Sequence, residues 1–268
     1  MPMQGGLNQR LFLDGYNLSG DVGSLGNVSS PRGVIDVTSI DRSAYERLLG
    51  LGDGQMEFNA WWNPSTASAV IGEHIALGRL PTANVLALWV LESSYGGIGA
   101  GLTAKQINYD HARSQDGALQ ATIQLQGNNS PIEWGRMLTT SGLTRIETSS
   151  FATSVDIGGS SEFGLAAQFQ LNFRNLQSET DLDTLLIIQD SSNNSAFTTY
   201  LTFDTTLGTV NSSGLQDVLI AERKTSTNYV QRYLRAAITG TTGTNSDGYD
   251  VAVMIRRRLT AGSTGDMA

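Results

Sequence analysis

The chain has 268 residues, among them 30 Gly, five Pro and no Cys, with 17 basic against 25 acidic side chains and a formal net charge of −8. The lack of Cys excludes a disulfide framework, a thiolate metal site and a cysteine nucleophile, and fits folding in a reducing compartment. The charge is evenly spread, −4 on residues 1–150 and −4 on residues 151–268, which argues against a general nucleic-acid clamp.

This length admits two ordinary domains or one large all-β domain. Frequent Gly, Ser, Thr, Asn and Val favour many short strands joined by many turns. The opening MPMQGGLNQR shows no basic segment followed by an apolar one, so no signal peptide is expected. The longest apolar run, residues 85–91, is too short to span a bilayer.

In chain order, RLFL (10–13) and VIDVT (34–38) are predicted strands flanking a long Gly/Ser/Asn-rich connection over 13–38. Compact domains rarely keep so long a connection without a use for it. SAYERLLG predicts a short helix: Ser43 and Glu46 fit a capping box, Tyr45, Leu48 and Leu49 form one face, and Gly50 ends it. QMEFNAWW alternates, with Met56, Phe58, Ala60 and Trp62 on one side and Glu57, Asn59 and Trp61 on the other. A helix is predicted over 63–78, capped by Asn63, with Pro64 at its first position and an apolar stripe of Ala67, Val70, Ile71, His74 and Ile75. NVLALWVLE (84–92) is apolar at almost every step, as in a strand covered on both faces. ALQATIQLQ (118–126) alternates again, with Leu119, Ala121, Ile123 and Leu125 inward.

Residues 139–164 are small and polar and read as a boundary. Strands alone are predicted beyond it: LAAQFQLNF, TLLIIQ, FTTYLTF, DVLIAER, QRYLRAAI and YDVAVMIRR, separated by turn clusters. The expected fold class is therefore mainly β: a β-sandwich or barrel with one packed helix over 1–150, a linker at 151–162, and a jelly-roll-like β-sandwich over 163–268.

The search for chemistry yields no catalytic, cofactor or metal site. His74 sits on an apolar face and reads as a packing residue, while His111 lies in a polar loop beside Asp110. YGGIGAGLTAK has Gly97, Gly99 and Gly101 in alternation, which is the wrong spacing for a phosphate loop and reads as a flexible hairpin or assembly loop. DSSNNS (190–195) lacks the Gly and closing Glu of a calcium loop and reads as a tight hairpin. The basic triplet Arg256, Arg257 and Arg258 suits ion pairs or an acidic neighbour. Trp61 should point away from Trp62, either as a subunit contact or beneath another part of the chain.

The run LFLDGYNLSGDVGS…VIDVTSIDRSAYERLLGLGDGQMEFNAWWNPS, with AKQINYDHARSQDGALQATIQLQGNN later, resembles the N-terminal region of major tail proteins of long-tailed bacterial viruses. The likeness spans residues 7–150 and rests on element order and loose motifs. Residues 163–258 resemble a β-sandwich appended to virion proteins. What the resemblance implies is a non-enzymatic virion protein, assembled in the host cytoplasm, whose copies form hexameric rings that stack into a tail tube. Its partners would be further copies, other tail proteins, and genomic DNA sliding unbound through an acidic lumen, with Glu57 one candidate lining residue. The 13–38 segment would then be an inter-subunit arm, carried by Asp14, Gly15, Tyr16, Gly20, Asp21, Gly23, Gly26 and Pro31, with Trp61 at an interface; a plain surface loop is the alternative. A head decoration protein is a second expectation. A glycan-binding module that contacts the host surface is a third, and it would use Tyr200, Tyr229, Tyr233 and Tyr249.

Overall fold

The computed structural model describes residues 9–64, 66–67, 70–71, 73–78, 83–140, 153–160, 164–176, 182–207, 216–239 and 248–257. The protein is mainly β, as its composition leads one to expect. The first half contributes β1 (Arg10–Leu13), β2 (Tyr16–Asn17), β3 (Val22–Ser29), β4 (Arg32–Asp36), β5 (Arg47–Gly52), β6 (Gln55–Trp61), β7 (Thr66–Ala67), β8 (Val70–Ile71), the short α1 (Glu73–Leu77), β9 (Val85–Val90), β10 (Ile98–Arg113), β11 (Leu119–Gly127) and β12 (Glu133–Met137). The second half contributes β13 (Val155–Asp156), β14 (Leu165–Leu176), β15 (Leu182–Ser191), β16 (Thr198–Leu207), β17 (Gln216–Ser226), β18 (Tyr233–Thr239) and β19 (Gly248–Arg257).

An alternating sequence buries one face of each strand, and two cores follow from that pattern. In the first, Met56, Phe58 and Ala60 of β6 line up with Ala121, Ile123 and Leu125 of β11 and pack against Leu11, Leu13 and Leu102. In the second, Leu165, Ala167 and Phe169 of β14 and Val251, Val253 and Ile255 of β19 face Leu186, Ile188, Phe203, Leu234 and Ala236 of the sheet β13-β18-β15-β16. Each fully buried Leu or Phe contributes about 1.5–3 kcal/mol. Phe169 and Phe203 meet across the sandwich, ring centroids 4.9 Å apart.

The two halves share one sheet. Its path runs β17-β14-β19-β12-β10-β11-β6-β3, with β9 and β1 branching from β10. The pairs Arg136↔Ile255 and Met137↔Met254 join β12 to β19. A third cluster, Phe12, Leu88, Val90, Met137, Ala252 and Met254, packs between the halves.

This sheet curls on itself. Gln168 of β14 donates to the Ala87 carbonyl of β9 at 3.0 Å, and Gln170 donates to that of Leu86 at 2.8 Å. In the sheet, β19, β12 and β10 separate those two strands. Gly99 and Gly135 lie on the concave side, where a Cβ at 99 would come 2.9 Å from Met137 Sδ and one at 135 would come 2.9 Å from Met254 Cγ. The alternating glycines 99 and 101, expected in a flexible hairpin, are thus part of a paired strand, where the missing side chains permit the bend.

Three expected elements change. Residues 43–50 are not helical; Leu48 and Leu49 belong to β5 and pair with Ile35 and Val34. A one-turn helix carries its full nucleation cost, whereas the hairpin gives the segment a ladder of backbone bonds. Within 63–78, the described residues form the small β7–β8 ladder and a five-residue helix rather than one long helix. The β-branched Thr66, Val70 and Ile71 suit that ladder. The 13–38 connection carries β2, β3 and all of β4, so it is largely strand. Within the expected linker, Val155 and Asp156 pair with Leu234 and Tyr233; residues 141–152 lie outside the described part.

Candidate functional site

β10 forms one long hairpin with β11 and β12. Arg113↔Leu119 to Ala104↔Gly127 is the upper ladder, and Gly101↔Glu133 to Ile98↔Arg136 the lower. At residues 128–132 the returning strand breaks, and the sheet divides. Ala104 pairs with Gly127 of β11 and also with Val85 of β9, so those two strands lie on opposite edges of β10. The β9 ladder ends there. Among the described residues, no strand pairs with that edge of β10 beyond Ala104, and none pairs with the outer edge of β3. The four strands β10-β11-β6-β3 therefore form a sheet open on both sides.

The outer face of this sheet is polar and largely neutral. Gln55, Glu57 and Asn59 of β6 stand opposite Gln126, Gln124 and Thr122 of β11. Thr122 Oγ1 donates to Asn59 Oδ1 at 2.8 Å, Asn59 Nδ2 to Ser24 Oγ at 3.3 Å, and Gln124 Nε2 to Glu57 Oε2 at 3.3 Å. Glu57 is thus an outward residue, as its alternation required. Amides outnumber carboxylates around it: on these four strands only Glu57 and Asp110 bring acid to this face. A shallow depression of about 160 Å³ lies over the β10 bulge, between Asn27, Glu57, Ile107 and Gln124.

Beside this sheet the β4–β5 hairpin projects. Its register places Val34 opposite Leu49 and Ile35 opposite Leu48. Neighbouring pairs point to opposite faces, so each face of the hairpin carries one apolar pair. All four side chains are 55–65% exposed, and Val37, Ile40, Tyr45 and Leu51 are exposed as well. The base is fixed by Asp53 N donating to Pro31 O at 2.9 Å, and by Gly52 against Pro131.

Most of the residues expected in an arm lie between the end of β1 and the end of β3. Asp14 and Gly15 make the β1–β2 turn with φ of 46° and 87°. Asp14 Oδ1 accepts from Leu86 N at 2.7 Å, and Gly15 N donates to Gln170 Oε1 at 2.6 Å. Burial pushes the Asp14 carboxyl up, opposed by that backbone hydrogen bond. Tyr16 packs against the first core. Asp21 accepts from Trp61 N through its carbonyl and from Asn63 through its side chain. Gly20, before it, faces open space, and Gly26 lies over Glu57. Gly23 lies under Trp61, whose Nε1 would be 2.8 Å from a Cβ there. Trp61 itself is 46% exposed on the outer face. Only Pro31 stands at the projecting hairpin. Sequence reading missed Leu48 and Leu49 as strand residues; the β-branched pair Val34 and Ile35, needing a partner strand, was the available signal.

The chain's two histidines meet, although they are 37 residues apart. His74 of α1 lies tilted against Trp62 (4.3 Å between centroids), and its Nδ1 lies 2.9 Å from Tyr109 Oη. His111 stands edge-on to Tyr109 and Trp62. Neither is joined by further metal-binding side chains: among the described residues no group of three or more His, Cys, Asp or Glu converges. DSSNNS is the β15–β16 connection, with Asp190 accepting from Thr198 Oγ1 and Gln231 N. Of the basic triplet, Arg256 lies 3.7 Å from buried Glu133 and Arg257 donates to Gly159 O; residue 258 lies outside the described part. Tyr229 is exposed, and Tyr200 donates to Asn228 O.

No protein-family model matches the chain, and no curated protein matches it. Solved structures similar to it include the Dit protein of phage SPP1, described as a paradigm of the hub adsorption apparatus in phages infecting Gram-positive bacteria. That likeness has a TM-score of 0.30 and 13% identity, covering 94% of this chain and 99% of that one. The phage p2 baseplate in its activated conformation is similar with strontium (0.32, 8%, covering 93% and 98%) and with calcium (0.31, 9%, covering 94% and 98%). At TM-scores this low the likenesses carry no argument about this chain.

Proposed function

We propose that this chain is a structural, tail-associated protein of a bacterial virus, and that its copies close into a ring around a channel for the genome. Support comes from the open-edged sheet β10-β11-β6-β3, not from the distant structural neighbours. An exposed strand edge templates pairing with another chain, and closure into a barrel removes the hazard. Pairing the β3 edge of one copy with the β10 edge of the next would give a continuous wall lined mainly by Gln, Asn and Thr, with Glu57, Asp110 and Lys105 as its charges. Such a face is hydrated without attracting phosphate, so DNA would pass without sticking. Hexameric symmetry, stacking of rings into a tube, and contacts with other tail proteins belong to this same proposal, as does a non-enzymatic role.

The inter-subunit arm moves accordingly. The β4–β5 hairpin, not the residues before it, exposes apolar side chains on both faces, and an isolated two-stranded hairpin is marginally stable in water. Cover from neighbouring copies would stabilise it.

Electron microscopy and light scattering across a concentration series test the proposal. Rings with a central channel are expected. Replacing residues 33–51 by a two-residue turn should leave a folded subunit that assembles poorly. A chain that stays monomeric at every concentration would remove the proposal.

A further inference from the structure

We infer that the strip formed by Trp134, Ile98 and Arg136 is the seat for the β4–β5 hairpin of a second copy of this chain. The inference rests on the self-assembly proposed above and names the surface that would receive the arm.

The strip lies on the face opposite Gly99 and Gly135, at the border of the first core, where Ala100 is buried and Trp89 packs. Ala100 pairs with both Trp89 and Trp134, and Ile98 pairs with Arg136. Directly opposed residues share a face, so these side chains form two adjacent rows. The Trp89 and Trp134 rings are 6.3 Å apart. Trp134 is 39% exposed and Ile98 43%. Exposed, partly packed Trp and Arg are the residue types that anchor protein contacts. Arg136 Nη1 donates to Gly96 O at 3.0 Å, which holds the guanidinium at the rim.

One face of the hairpin matches this layout. Ile35 and Leu48 stand opposite each other. One step further, on the same face, come Val37 and Glu46, joined by Val37 N donating to Glu46 O at 2.9 Å. An apolar row is thus followed by a row of one apolar residue and one carboxylate. In the seat, the tryptophan row is followed by Ile98 and the Arg136 cation. Both steps are two residues of strand, about 6.7 Å. Among the described residues the Glu46 carboxylate meets a cation of its own chain at Arg42, 3.9 Å away with both side chains well exposed, a contact of little strength. The opposite face, with Val34 and Leu49, carries both Asp36 and Arg47 in one row and lacks this single-charge match. Arm and seat are different surfaces of one chain, so the contact is head-to-tail and leads to rings or filaments rather than closed pairs.

The chain has no Cys, which gives disulfide mapping a clean background. Glu46→Cys and Arg136→Cys are made separately, both at exposed positions, mixed, and oxidised at a concentration where the parent assembles. A cross-linked dimer containing one of each variant is expected, in severalfold excess over that from Glu46→Cys mixed with Tyr229→Cys. In a second arm, Arg136→Glu should raise the assembly concentration severalfold, and adding Glu46→Arg should restore it. Assembly with no such excess and no rescue would overturn the seat while leaving self-assembly intact. A chain that never self-associates would overturn both.

Discussion

Arg223 of β17 closes a two-pronged ion pair on Glu133 of β12, with Nε 2.7 Å from Oε2 and Nη2 2.5 Å from Oε1. It thereby ties the edge of the second half to the central hairpin. Glu133 is buried and also lies 3.7 Å from Arg256, whose side chain is equally buried. Removing this carboxylate takes a shared partner from two guanidinium groups. Glu133→Ala should cost about 3–5 kcal/mol, in the range for breaking one side of a buried pair. Arg223→Ala should cost clearly less, because Arg223 is partly exposed and Glu133 keeps Arg256. Urea unfolding of both variants checks the order.

Gly135 faces the bend between the halves. A Cβ there would fall on the carbonyl oxygen of Ile255, which is backbone and cannot rotate away. At Gly99 the nearest atoms are the sulfur atoms of Met137 and Met254, which can shift. Gly135→Ala should therefore destabilise more than Gly99→Ala, by about 1–3 kcal/mol or above for the former. Thermal melts should show that ranking, and equal effects would contradict the curled-sheet account.

Asp156 of β13 receives two hydrogen bonds from Arg232, at 2.8 and 2.7 Å, and one from Gly158 N. The Arg232 guanidinium, with that backbone bond, holds its carboxyl down at about 2, against an ordinary 3.8. A depressed carboxyl stabilises the fold above its unfolded value, and that help fades as pH falls through the folded value. Asp156→Asn should melt below the parent at pH 7, and the gap should shrink between pH 4 and pH 2. The pair is solvent-exposed, so a small gap is expected.

The hairpin makes the opposite kind of prediction. Ile35→Thr and Leu49→Ser alter side chains that are more than half exposed, so the subunit's stability should move by no more than about 0.5 kcal/mol. Assembly should weaken all the same, as read by light scattering at fixed concentration. A large loss of stability in the isolated subunit would mean that the hairpin packs on its own chain.

Much of the interior was legible in the residue order. The alternations over 55–62 and 118–126 put Met56, Phe58, Ile123 and Leu125 inside, and their polar neighbours are the outer face. The stretch around Leu48 and Leu49 is ambiguous by itself, because four apolar or charged residues in a row suit a helix turn and a strand equally well. Only the partner Val34–Ile35, more than ten residues earlier, decides between them. The glycines of the arm segment have a local role in this fold: Gly23 and Gly26 sit at the two bulges of β3, where the register with β6 shifts.

What the sequence determined alone is the β class and the inward set of each alternating strand, because a period of two fixes which side chains share a face wherever a strand forms. What only the tertiary structure decided is which edges stay open, where the sheet curls, and that His74 meets His111. Backbone pairing uses groups common to every residue, so the choice of neighbour leaves little trace in side-chain order; it is settled when distant strands compete for the same edge.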